Sequence, residues 1–167
     1  MRRLPMAEAE HPIEHAGDAR HPDHERWLQE LGRTTHAAAR VTGVSFDVLR
    51  VFHGVPGEDM YSDPMGKLLS RLQALLVKQP QLPGLKDFVE KLEVAKLTRN
   101  DLLHALPVLH GLHRRETKDL FRVRNFFDVD DLRTAEAQLD EAARLGNHVL
   151  YHDGGTAIAA WYAAQTS

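Results

Sequence analysis

The chain has 167 residues, a formal net charge of -3 and no cysteine. It is long enough to bury one core, has no global attraction for polyanions, and lacks a disulfide framework, a thiolate nucleophile and a cysteine-based zinc site. No apolar run approaches the ~20 residues of a membrane helix, and the Met-Arg-Arg start turns acidic and His/Pro-rich without a signal-peptide core, so a cytoplasmic, non-membrane protein is expected.

Residues 1–22 read as a flexible N-terminal tail, because Pro5, Pro12 and Gly17 interrupt a charged stretch with only scattered apolar residues. His11, His15, His21 and His24 lie close together there, but no acidic or thiol partners at metal-ligand spacing accompany them. Residues 23–167 are expected to form one helical bundle domain.

Leu28, Leu31, Thr35, Ala38, Thr42, Phe46, Leu49 and Phe52 recur at three- and four-residue steps, which marks helix. Gly43 and Ser45 leave two readings open, one long helix or two with Ser45 as a cap. Gly54-Val55-Pro56-Gly57 ends the segment. The next helix opens at Ser62 or Asp63 as cap with Pro64 in the first turn, and carries Leu68, Leu69, Leu72, Leu75 and Leu76 as its stripe. After the break at 79–84, a third helix presents Leu85, Phe88, Val89, Leu92, Ala95, Leu102, Leu103 and Leu106 until Pro107 stops it. Two such helices joined by a short loop form an antiparallel pair.

Beyond Pro107, two arms at 107–115 and 120–125 flank a polar Glu116-Thr117-Lys118-Asp119, and alternation in the second arm predicts a small β-hairpin. Asp128 then caps a helix with Leu132, Ala135, Leu139, Ala142 and Val149 on its core face. Gly154-Gly155 is expected to separate a last Ala-rich segment, in which Trp161 and Tyr162 serve packing or an interface between copies. The fold class is mainly α, an antiparallel helical bundle with a small β-hairpin insertion.

The third helix carries the residues with chemistry. Arg99 is a fixed cation whose donor fork suits phosphate, and His104 is the side chain that moves a proton near neutral pH. With Asn100 between them they make a minimal set for cleaving RNA without a metal: one group holds the phosphate, the other moves the ribose 2′-hydroxyl proton. Arg99 and His104 stand about 140° apart around the axis at ~100° per residue, so a second copy of the helix would let each Arg approach the other chain's His. A helix-end cation pair favoured by the dipole is the plainer alternative. Between residues 96 and 124, Lys96, Arg99, Arg114, Arg115, Lys118, Arg122 and Arg124 oppose Asp101, Glu116 and Asp119, seven cations against three carboxylates. That net of +4 suits RNA, with Lys96, Arg114, Arg115, Lys118, Arg122 and Arg124 as the binding cations, or else is a solvated surface bias.

Arg99 through His104 resembles the motif of the HEPN family (higher eukaryotes and prokaryotes nucleotide-binding domains), an Arg followed after four to six residues by His. Met65-Gly66-Lys67-Leu68-Leu69 upstream and Phe127 to Leu132 downstream are similar to segments that accompany the motif in that family, so the resemblance spans about residues 25–149. Pro107 and the hairpin depart from the family's minimal bundle. The resemblance implies a homodimeric, metal-independent endoribonuclease without cofactor. His104 would be general base or acid, Arg99 would steady the phosphorane, Asn100 would orient substrate or His104, and the products would be a 2′,3′-cyclic phosphate and a 5′-hydroxyl. It further implies a role such as a toxin with a cognate antitoxin, or phage defence. Many members are instead non-catalytic dimeric modules that bind a protein partner or nucleic acid, which is the alternative; a bundle enclosing a small molecule is a third. No metal site is expected: His104, His110 and His113 could bind zinc but lack a carboxylate at fixed spacing and are split by Pro107, and His148 and His152, four apart on a helix, could also be ligands but are expected to be surface or partly packed histidines.

Overall fold

The structure, a computed structural model, describes residues 24–53, 62–108, 111–115 and 123–165. The chain is mainly helical. Helix α1 (His24–His53), α2 (Met65–Lys78), α3 (Leu85–Leu103) and α4 (Val129–Gln165) pack together, with α1 and α4 making the most extensive contact. The predicted tail at 1–22 and the break at 54–57 lie outside the described residues.

The first open alternative resolves as one helix. α1 runs unbroken through Gly43 and Ser45, whose buried hydroxyl donates back to the Val41 carbonyl at 2.8 Å instead of capping a new helix. α2 begins without a side-chain cap, contrary to expectation, because Asp63 is engaged elsewhere. Its buried carboxylate reaches Lys67 Nζ at 2.6 Å and Arg71 Nη2 at 3.0 Å, one and two turns along the helix.

α3 starts from Gly84 at a φ of 73°, the left-handed region that glycine enters without a steric penalty. It stops at Leu103, before the expected end near Leu106. The residue preceding a proline is driven toward extended backbone, and Leu106 pairs in a strand instead. In place of a two-armed hairpin there are three short strands, β1 (Leu106–Val108), β2 (Gly111–Arg115) and β3 (Val123–Phe127). They pair antiparallel in that order, Leu106 with His113 and Leu112 with Phe127, with an irregularity between His113 and Arg115.

Asp128 caps α4 as predicted, in a reciprocal arrangement. The Asp131 N–H donates to Asp128 Oδ1 at 2.7 Å and the Asp128 N–H donates to Asp131 Oδ2 at 3.2 Å. The separation expected at Gly154-Gly155 does not occur. α4 continues to Gln165, since two glycines cost a helix only about 1 kcal/mol each and the Ala-rich residues beyond them contain no proline.

One core joins all four helices around Val41, Leu49, Leu72, Phe88, Leu92 and Leu139. Gly146 lets them close. A Cβ there would overlap Val44 Cγ1 and come within 2.9 Å of Phe88 Cε2. A second, smaller cluster of Leu102, Phe127 and Leu132 is packed by Trp27, Leu31, Ala105 and Leu112, and it docks the end of α3 against β3 and the first turns of α1 and α4.

Candidate functional site

The last turn of α3 is packed through Leu102 into the second cluster, which α1, β3 and α4 hold in place. Trp27 Nε1–H donates to the Phe127 carbonyl at 3.1 Å, tying α1 to β3. The Thr34 hydroxyl sits 2.8 Å from the Glu30 carbonyl and 3.0 Å from that of Leu132, which joins α1 to α4. Glu30 is 4% exposed, and Arg133 of α4 places both Nε and Nη2 at 3.0 Å from its Oε1 while Arg33 reaches Oε2 at 3.3 Å. A buried carboxylate survives only when paired in this way. The second cluster is therefore clamped on its α1–α4 side.

Against that frame Arg99, Asn100 and His104 occupy the end of α3. His104 is the C-cap residue; its N–H bonds the Asn100 carbonyl at 3.0 Å and its side chain is exposed. Arg99 is half-buried. Its Nη1 donates to Asn100 Oδ1 at 3.4 Å, and among the described residues no carboxylate pairs with it. The helix thus brings Arg99 to Asn100, but within one chain it leaves Arg99 and His104 on different sides, about 140° apart.

Arg99 borders an open groove of about 450 Å³ between α1 and α3. Thr35, Ala39, Thr42 and Gly43 form one wall, and Leu103, 51% exposed, stands beside Arg99 on the other. Ala38 and Phe46 make the floor. The groove exists because α2 has 14 residues and α3 has 19; paired from the 79–84 turn, they leave roughly one and a half turns of α3 without cover from α2. Residues read from the sequence as a continuous core stripe on α1 therefore face solvent in part. The signal was present in their size, since Thr, Ala and Gly at three- and four-residue steps leave room that Leu would fill.

The basic patch divides. Arg114 is not a free cation. Its Nη2 lies 3.0 Å from Asp131 Oδ1, its Nε 3.5 Å from Asp101 Oδ2, and its guanidinium carbon 4.1 Å above the centre of the buried Phe127 ring. It binds β2, α3, β3 and α4 to one another, and its α3 partner Asp101 lies one turn before His104. Sequence reasoning missed this role because Asp101 and Asp131 lie 13 and 17 residues away, with no local spacing to signal them. Lys96 is half-buried on α3. Lys118, Arg122 and His110 lie outside the described residues, as do the side chains of Arg115 and Arg124 on β2 and β3.

Among the described residues no group of three or more His, Asp or Glu side chains is placed to hold a metal, and no helix is long and apolar enough to cross a membrane. Comparison of the chain with protein-family models, with curated proteins and with solved structures gave no match.

Proposed function

We propose that this chain is a HEPN-like endoribonuclease that works without a metal and as a homodimer. The observation that supports it is the end of α3. An arginine uncommitted to any described carboxylate borders an open groove, and an exposed histidine caps the same helix five residues further on. His104 accepts the proton of a ribose 2′-hydroxyl, the freed oxygen attacks the adjacent phosphorus, and the bond to the 5′-oxygen breaks. The departing 5′-oxygen is protonated, which leaves a 2′,3′-cyclic phosphate and a 5′-hydroxyl end. Arg99 holds the charge on the pentacoordinate phosphorus, and Asn100 holds Arg99. Two copies supply what one lacks, the Arg99 of each approaching the His104 of the other. The use of such cleavage against the cell's own or invading RNA, under the restraint of a protein antitoxin, belongs to the same reading.

One observation favours a second reading, a non-catalytic module that binds a protein partner or nucleic acid. The groove beside Arg99 is largely apolar and Leu103 stands exposed at its edge, as a partner surface requires.

The test incubates the purified protein with total RNA in EDTA beside Arg99→Ala and His104→Ala. Metal-independent fragments ending in cyclic phosphate, lost in both variants, support the ribonuclease. Mixing the two inactive variants then locates the site. Random pairing makes half the dimers mixed, each with one intact cross-chain site, so about a quarter of wild-type activity returns. No recovery places Arg99 and His104 of one chain in each site. No cleavage by the wild type leaves the binding module.

A further inference from the structure

The groove between α1 and α3 has the shape and the chemistry of a missing helix. Leu28, Gly32, Thr35, Ala39, Thr42 and Phe46 follow one another on α1 at steps of 4-3-4-3-4, the spacing with which one helix meets another laid along it. That seam is buried at Phe46 and exposed at Leu28, Gly32, Thr35 and Ala39. From Leu28 to Thr42 it runs about 21 Å at ~1.5 Å per residue, room for about four turns. Its hydroxyls are spent: the Thr35 hydroxyl donates to the Leu31 carbonyl at 2.8 Å and that of Thr42 to the Ala38 carbonyl at 2.9 Å. This wall therefore offers an occupant close apolar contact and no polar anchor. The anchors stand on the other bank. Lys96, Arg99, Asn100 and Leu103 are spaced i, i+3, i+4 and i+7 on α3 and so share one side of it. Among the described residues neither Lys96 nor Arg99 pairs with a carboxylate, Asp101 is turned to Arg114, and α1 has no acidic residue from Leu31 to Phe46. Both cations are half-buried, and closing the groove buries them further, so the occupant must bring the acid.

We infer that this groove docks an acidic amphipathic α-helix of a partner protein, whose large apolar side chains fill the space over Ala39 and Phe46 beside Leu103 and whose carboxylate flank pairs with Lys96 and Arg99. The docking rests on the groove being a partner surface and adds the chemistry of the partner. A nucleic-acid strand is poorly matched, because the α1 wall gives phosphate and sugar nothing to bond and the Phe46 ring is too buried for a base to stack on. With an acidic helix seated, Arg99 faces a carboxylate in place of a phosphate, so docking restrains cleavage. That consequence alone rests on the ribonuclease reading.

Two synthetic peptides of about 15 residues, capped at both ends, test the docking on the full-length protein by amide NMR. Both carry leucine at the 4-3 spacing; one has glutamate at the flanking positions and the other lysine. The glutamate peptide shifts amides within 35–46 and 96–104 and binds at least about tenfold more tightly than the lysine peptide, and Arg99→Glu reverses that order. Ala39→Trp fills the trough and abolishes binding of the glutamate peptide, and Thr35→Trp does the same should the first variant not fold. No shift at these amides with either peptide, equal binding of the two, or binding that survives in a folded tryptophan variant overturns the docking. So does another occupant: groove shifts that follow protein concentration alone mark a second copy, and shifts on replacing Glu8, Glu10 and Glu14 with Gln in the full chain mark its own N-terminal segment. Where the wild type cleaves RNA, saturating glutamate peptide suppresses cleavage, and unchanged cleavage removes the restraint. A protein that docks the peptide and cleaves nothing loses the ribonuclease reading and keeps the docking.

Discussion

Replacing Arg114 with alanine distinguishes a structural clamp from an RNA contact. The guanidinium makes three contacts at once, to Asp131 at 3.0 Å, to Asp101 at 3.5 Å and to the face of Phe127 at 4.1 Å. Both carboxylates are about a third exposed, so solvent screens them. The closer pair contributes about 1 kcal/mol and the longer one about 0.5 kcal/mol. The Phe127 ring is 2% exposed, so stacking over it adds about 1 kcal/mol. Truncation to alanine removes all three and uncovers the ring, a loss of about 2–3 kcal/mol. For a chain of this length that lowers Tm by about 5–10 °C. Arg114→Lys keeps the charge but neither the fork nor the stacking plane, so it recovers less than half of the loss. Urea unfolding followed by far-UV circular dichroism measures both variants, and hydrogen exchange at 102–105 reports the loosened end of α3. A loss below about 0.5 kcal/mol, accompanied by weaker RNA binding and a shallower salt dependence, refutes the clamp and returns Arg114 to the nucleic-acid surface.

Gly146→Ala forces a methyl between Val44 and Phe88; overpacking costs about 1–3 kcal/mol against a helix-propensity gain of about 1 kcal/mol, so thermal unfolding shows no change or a loss. Gly32→Ala, where a Cβ meets nothing within 4 Å, gains about 1 kcal/mol in the same assay. The side-chain hydrogen bond from Arg144 holds the Glu141 carboxyl below its ordinary pKa, with the nearby positive charges of Arg144 and Lys91 adding to it. The pair therefore contributes stability above the pKa of the unfolded chain and loses it as pH falls through the lower folded value; NMR titration shows the depressed midpoint in the wild type and its return in Arg144→Ala. His104→Ala leaves urea-unfolding stability within about 0.5 kcal/mol, because the side chain is exposed and its place in the fold rests on backbone contacts.

Elements with strong local signals were legible in the sequence, and those decided by distant contacts were not. The periodic stripes of α2 and α3 and the Asp128 cap all depend on residues within a few positions of each other, and the structure places them close to the predicted sites. Gly154-Gly155 has the composition of a break yet lies inside α4, because glycine weakens a helix without forbidding it. Asp63 has the chemistry of a cap, but Lys67 and Arg71 take its carboxylate along the helix instead.

The same division runs through the candidate site. In sequence Arg99 falls between Ala95 and Leu102 of the apolar stripe of α3, and a cation there must pair, snorkel or border a groove. Which of these holds depends on where α2 ends relative to α3 and on how small the facing residues of α1 are, quantities set by two other helices. Arg114 was the opposite case: its charge was plain in sequence, but its availability was decided by Asp101 and Asp131. A count of cations therefore overstates a nucleic-acid surface wherever carboxylates from other elements fold onto it. At the end of α3 that correction moves the argument for RNA away from net charge and onto Arg99, whose one described polar partner is the amide of Asn100.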